Sequence, residues 1–203
     1  MCYNILIVFY YEKFKDGNIV EVDVPFELPD TWSWCRLREI VYDLGDGIHG
    51  TPKYDDNGQY YFINGNNLLN GKIEIKPSTK RVSEAEYKKY KKNLSERTVF
   101  VSINGTLGNV AFYNNESIIL GKSACYFNLT ELISKDYIYN FLNTTYFKKY
   151  AIENATGSTI KNVSLQAMRN LFIPIPPEEE QDRIVNTIKE FCFELSQIQN
   201  NII

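Results

Sequence analysis

A single histidine and four cysteines in 203 residues leave little material for metal or nucleophile chemistry. Cys2, Cys35, Cys125 and Cys192 lie far apart and form no C-x-x-C pair, so no zinc site is expected. His49 sits in Gly47-Ile48-His49-Gly50-Thr51-Pro52 and reads as a loop residue. Any Ser/His or Cys/His nucleophile would depend on it alone. No apolar run approaches the ~18 residues of a membrane span. Met1 to Tyr11 is apolar but lacks a basic leader and a small-residue cleavage site. It reads as a strand, and a reduced, cytoplasmic setting is expected.

Nucleotide signatures are missing as well. Gly121-Lys122-Ser123 resembles the end of a phosphate loop, but the glycine required five positions earlier is Glu116. No G-x-G-x-x-G is read between a strand and a helix, and the Asn/Asp-Pro-Pro-aromatic signature of amino-methyltransferases does not occur. One nuclease-like trace exists: Glu74-Ile75-Lys76, read on a strand, with Asp55 and Asp56 upstream. Two carboxylates and a lysine can hold Mg²⁺ and orient water, so a small metal-dependent nuclease using Asp56, Glu74 and Lys76 is one alternative. The tripeptide is common by chance.

What is present is an ordinary globular composition, 44% hydrophobic and 23% charged, with net charge −3. The charge is unevenly placed. Residues 1–50 carry 4 basic and 9 acidic side chains, and 177–203 carry 2 and 6, whereas 51–176 has net charge +6. A DNA contact depends on this local field rather than on the whole-chain sum.

The pattern of elements is mixed α/β. A hairpin is expected from Ile5–Tyr11 and Ile19–Val24 around Lys15-Asp16-Gly17-Asn18. Asp30 or Thr31 caps a short helix through Trp32, Trp34, Leu37, Ile40 and Val41, followed by a loop from Asp43 to Gly58. Strands are read at Tyr60–Ile63, Val99–Ile103 and Cys125–Leu129, with Val110–Tyr113 and Ser117–Leu120 forming a hairpin across Asn114-Asn115. Ser83-Glu84-Ala85-Glu86 is a capping box that starts a helix to about Leu94. Ser134 caps a helix with apolar face Tyr137, Ile138, Phe141 and Leu142. Residues 153–163 read as a polar loop, Ser164 caps a short helix, and Phe172–Ile175 is an edge strand. After Pro177 and three glutamates, Ile184, Ile188, Phe191, Leu195, Ile198 and Ile202 recur at spacings of four and three, a heptad seam on a helix about 40 Å long.

Lys88, Lys89, Lys91 and Lys92 form two adjacent basic pairs suited to phosphates, near loops rich in Asn, Tyr, Thr and Ser. Asparagine suits adenine edges, though each asparagine singly also fits a turn. Candidate DNA contacts are Lys53, Tyr54, Asn64, Asn66, Asn67, Lys88, Lys89, Lys91, Lys92, Asn104 and Lys161.

A series of segments carries a family resemblance. It runs from Tyr11-Glu12-Lys13-Phe14-Lys15-Asp16-Gly17 and Pro25-Phe26-Glu27-Leu28-Pro29-Asp30-Thr31-Trp32-Ser33-Trp34, through His49-Gly50-Thr51-Pro52-Lys53-Tyr54 and Tyr61-Phe62-Ile63-Asn64-Gly65-Asn66-Asn67. It continues with Ser102-Ile103-Asn104-Gly105-Thr106-Leu107-Gly108-Asn109 and Gly157-Ser158-Thr159-Ile160-Lys161-Asn162. It ends at Ile173-Pro174-Ile175-Pro176-Pro177-Glu178-Glu179-Glu180-Gln181-Asp182-Arg183-Ile184-Val185. In this order and spacing the chain resembles one repeat of a specificity subunit of type I restriction-modification systems.

The resemblance implies an α/β (α+β) target recognition domain with a mixed or antiparallel sheet and flanking helices, plus a long C-terminal coiled-coil helix. Residues 1–24 would be an N-terminal hairpin or linker, 25–176 the DNA-binding recognition domain, and 177–203 the spacer helix for dimerisation and methyltransferase docking. It implies a non-catalytic reader of double-stranded DNA that directs adenine methylation and restriction. Methyltransferase subunits and a restriction subunit are the implied partners; S-adenosylmethionine, Mg²⁺ and ATP would belong to them, with no cofactor, metal or membrane for this chain. Full subunits carry two such repeats, so a half subunit pairing with a second copy through its helix is expected. Two alternatives stand beside it: a recognition domain of a fused type II restriction-methylation enzyme, and a protein–protein module that never touches DNA.

Overall fold

In the computed structural model, residues 10–13 and 16–201 are described. The segments Thr98–Ser102 and Ala124–Leu129 are buried at every position. Such runs arise where a strand is covered on both faces. They form the centre of an antiparallel four-stranded sheet ordered Val110–Phe112, Thr98–Ser102, Ala124–Leu129, Val41–Asp46. Alternation divides their side chains. Val99, Val101, Cys125, Phe127 and Leu129 enter one core with Ile138, Leu142, Phe147, Met168 and Ile173. Phe100, Ala124 and Tyr126 enter a second core with Ile63, Leu68, Ile118 and Leu120.

The first core is covered by helices. These are α2 (Lys135–Leu142), α3 (Thr145–Glu153), α4 (Leu165–Asn170) and the root of α5 (Glu178–Asn201), whereas α1 (Glu84–Tyr90) lies against the strand Ile118–Leu120 of the other sheet. Helix α2 forms as expected: Ser134 Oγ accepts from Tyr137 N, and Tyr137, Ile138, Phe141 and Leu142 are buried. The Tyr137 hydroxyl donates to Pro174 O at 2.5 Å, so its polar tip stays paired inside the core. Ser164 caps α4 in the same manner. The second core lies under a small mixed sheet in which Ile118–Leu120 runs parallel to Tyr60–Ile63, with Arg81–Val82 on the other side.

Several expected elements are corrected. The helix from Asp30 or Thr31 through Val41 is replaced by the strand Ser33–Arg36, a 3₁₀ turn at Leu37–Glu39 and the strand Val41–Asp46, which also takes the start of the expected loop at Asp43. Ser33–Arg36 pairs antiparallel with Phe172–Ile175, and Leu37 N donates to Leu171 O at 2.9 Å. A helix of about ten residues is marginal alone, so a distant partner strand decides the conformation. The expected hairpin of Val110–Tyr113 and Ser117–Leu120 does not form. Its two halves diverge, one to each sheet, after a turn at Asn115 (φ 62°). Helix α1 ends at Tyr90 rather than near Leu94. The expected polar loop 153–163 contains a two-stranded pairing, Ala155–Thr156 with Asn162–Val163, and α3 precedes it.

The expected N-terminal hairpin is present as Tyr10–Lys13 paired with Ile19–Val22; Ile5–Phe9, Phe14 and Lys15 lie outside the described residues. Glu12 holds it to the domain through Arg36 (2.8 Å) and Arg38, and the Tyr10 hydroxyl accepts from Leu28 N at 2.9 Å. At the other end α5 spans 24 residues. Gln181 and Val185 bury its root against the domain, whereas Phe191, Phe193, Leu195 and Ile198 are each more than half exposed. Its apolar seam leaves the domain after Ile188; Ile202 lies outside the described residues.

Candidate nucleic-acid interface

Five loops meet at one edge of the two sheets, and the backbone itself ties them. Ile48 N donates to Leu120 O (2.7 Å) and Lys122 N donates to Ile48 O (3.1 Å). Ile103 N donates to Ser123 O (2.9 Å), Val163 N to Ile103 O (2.8 Å) and Gly105 N to Lys161 O (3.0 Å). Gly65 N reaches Ser123 Oγ at 2.8 Å. Glycine makes this approach possible. A Cβ at Gly47 would lie 2.1 Å from Leu120 O, and one at Gly121 would lie 2.1 Å from Asn64 Oδ1.

Of the expected contacts, this edge gathers Asn64, Asn66, Asn67, Asn104 and Lys161, in differing roles. Asn67 is 5% exposed and its amide serves the loop: Oδ1 accepts from Asn64 N (3.0 Å), and Nδ2 donates to Glu74 O (2.9 Å) and Thr79 Oγ1 (3.2 Å). Asn67 therefore serves as a turn residue, with its amide engaged by the loop itself. Asn64 Oδ1 accepts from Ser123 Oγ at 3.1 Å and is half-buried. Asn66 and Lys161 are exposed, and Asn104 Nδ2 donates to Asn162 Oδ1 at 3.0 Å. His49, exposed and 2.7 Å from Asp46 Oδ2, joins the edge with Lys122 and Asn162. None of the three was among the expected contacts, although His49 and Asn162 stand in segments that carry the family resemblance.

Beside this edge lies a basic and aromatic band. Lys53 N donates to Glu86 Oε2 at 3.0 Å, which ties the Thr51–Tyr54 loop to α1; the capping-box glutamate serves this loop while Ser83 Oγ accepts from Glu86 N. Lys80 lies over the Tyr54 ring (5.7 Å) and the Arg81 guanidinium over Tyr61 (5.4 Å). Tyr60 and Tyr87 stack at 4.1 Å. Lys80 and Arg81 are exposed and were absent from the expected set.

The four lysines expected on one helix are dispersed. Lys88 pairs with Glu84 at 2.7 Å, and Lys89 sits 4.7 Å from the Tyr90 ring. Lys91 and Lys92 lie beyond the helix, in a depression with Tyr113 and Ile118. Ile118 begins the strand whose other end reaches the loop edge about 7 Å further along, so these two lysines stand at the opposite end of that strand.

The nuclease alternative finds no support. Glu74–Lys76 lies outside any strand, and Lys76 Nζ pairs with Glu74 (3.2 Å) and donates to Asn66 O (3.1 Å), so this pair braces the asparagine loop. Among the described residues no group of three or more His, Cys, Asp or Glu is placed to hold a metal ion. No described helix is long and apolar enough to cross a membrane.

The mixed α/β fold with its long C-terminal helix is shared with solved type I S subunits. The chain is similar to the type I restriction-modification S subunit from M. genitalium, with TM-score 0.54 and 21% identity over 86% of this chain and 43% of that one. It is also similar to the HsdS subunit from Thermoanaerobacter tengcongensis, with TM-score 0.58 and 18% identity over 87% of this chain and 41% of that one. The sequence aligns with the type I restriction enzyme EcoAI specificity subunit of Escherichia coli at 22% identity, over 85% of this chain and 30% of the relative. The model of the type I restriction modification DNA specificity domain matches residues 29–203, and the chain belongs to that family. It spans about a third of the length of the curated relatives it matches.

Proposed function

We propose that this chain reads one part of a double-stranded DNA target and directs a methyltransferase and restriction assembly to it, without a catalytic site of its own. The observation that carries this is the convergence of five backbone-tied loops at one edge, flanked by Lys53, Lys80, Arg81 and Lys88 with interleaved tyrosines, in the positive stretch of an otherwise acidic chain. Cations beside aromatic rings suit phosphates and sugars, and rigid polar loops suit base edges.

In this reading residues 25–176 are the recognition domain, 1–24 its N-terminal hairpin and linker, and 177–203 the helix that sets spacing. The exposed seam of α5 pairs with a second helix, in a second copy of the chain or in a matching repeat, and offers docking to methyltransferase subunits. The restriction subunit, S-adenosylmethionine, Mg²⁺ and ATP then enter with the partners. The test is the salt dependence of DNA affinity in the assembled complex. Reversing Lys53, Lys80 and Arg81 to Glu should weaken binding to all sequences and reduce the slope of log K against log[salt] by about 3. An unchanged slope and affinity would remove the band from the interface.

A further inference from the structure

At the loop edge a depression of about 410 Å³ is lined by Asp46, His49, Asn104, Lys122, Asn162 and Ser164. Its lining carries one lysine, Lys122, and one aspartate, Asp46, which already holds His49. That is a poor seat for a phosphate and a suitable one for a neutral polar edge. Two of its lining residues, Asn104 and Asn162, form an amide pair. One hydrogen bond joins them, Asn104 Nδ2 to Asn162 Oδ1 at 3.0 Å. The other ends, Asn104 Oδ1 and Asn162 Nδ2, take no hydrogen bond among the described residues, and neither is a buried unpaired atom. The outer ends of the pair therefore offer solvent an acceptor group and a donor group. Exchanging N and O in both amides leaves the same complement.

The pair is also held in place. Asn104 and Asn162 are bridge partners, with Val163 N bonded to Ile103 O and Gly105 N bonded to Lys161 O on either side. An acceptor and a donor carried by one held pair are complementary in kind to the major-groove edge of adenine, whose N6 amino group donates and whose N7 accepts. Guanine presents two acceptors there and would set O6 against an amide oxygen.

We infer that Asn104 and Asn162 act together as a two-residue reader of one adenine in the DNA target. This rests on the DNA-reading function proposed above. The test is a selection from randomised duplexes by the full chain with its methyltransferase partner, comparing the wild type with Asn162→Asp and Asn104→Ala. The wild type should enrich an adenine at one position that both variants lose, while the remaining positions keep their preferences. Because the variants could lose fold, a second measurement uses the wild-type protein alone. Replacing that adenine by 7-deazaadenine, which lacks the N7 acceptor, should weaken binding about 5- to 150-fold. Retention of every adenine preference by folded variants, or indifference of the wild type to each 7-deazaadenine, would overturn the reader while leaving DNA binding intact. A wild type that enriches no sequence would overturn both.

Discussion

Gln181 is the hinge-pin between the domain and its projecting helix, and removing its side chain should cost stability out of proportion to its place on a polar, acidic turn. It is 1% exposed. Its Oε1 accepts from Ser134 N at 2.8 Å, and its Nε2 donates to Leu132 O and Pro176 O, each at 3.2 Å. These three contacts join α5 to the start of α2 and to the end of the strand Phe172–Ile175. Gln181→Ala leaves them unequal. Leu132 is 70% exposed, so its carbonyl finds water. Pro176 is buried and Ser134 half-buried, so their groups are left with poor or no replacement. A buried backbone group without a partner costs about 1–3 kcal/mol, and the truncated side chain adds a cavity. The expected loss is about 2–4 kcal/mol. For a chain of this size that corresponds to a fall of about 5–15 °C in Tm. Urea titration followed by circular dichroism measures it, with the exposed substitution Asn186→Gln as control, expected within ~0.5 kcal/mol. Hydrogen exchange should show the amides near Ile184 and Val185 opening first. A loss below ~0.5 kcal/mol for Gln181→Ala would refute the reasoning.

Two further outcomes follow from the ends of the chain. Arg36, by hydrogen bond and then by charge, with Arg38 behind it, holds the Glu12 carboxyl below its ordinary value of 4.5 against the opposing effect of burial. Its contribution is thus present above the ordinary glutamate range and lost as pH falls through the lowered value. Glu12→Gln should flatten the acid limb of a stability–pH curve, and an unchanged limb would show that the hairpin contact adds nothing. On α5, Phe191→Asp with Leu195→Asp should leave the domain's Tm nearly unchanged, since both side chains are mostly exposed, yet reduce the light-scattering mass from two chains to one. A wild-type mass of one chain at micromolar concentration would refute pairing through a second copy.

Much of this molecule was legible residue by residue because the signals are local. Ser134 with Tyr137, Ile138, Phe141 and Leu142 specifies α2, since a cap and a 3.6-residue apolar period are both complete within one segment. Pro177, the three glutamates and the heptad seam specify α5. The apolar runs at Thr98–Ser102 and Ala124–Leu129 mark strands covered on both faces. The loops that carry the candidate interface were also visible as polar, asparagine-rich breaks between these elements.

Tertiary structure alone decided what those pieces do to each other. Trp34 reads as part of a helical stripe until Pro174 becomes its partner across the chain, and the Asn114-Asn115 turn reads as a hairpin until its arms join different sheets. The asparagines divide likewise. Asn67 turns inward, whereas Asn104 meets Asn162, 58 residues away, at the edge of the fold. A sequence pattern records which faces of a segment are apolar and where the backbone can turn. It does not record which other face will cover it, because that depends on how all the apolar surfaces close at once. The pairing of strands, and with it the placing of each polar side chain inside or at the rim, is settled only in the packed chain.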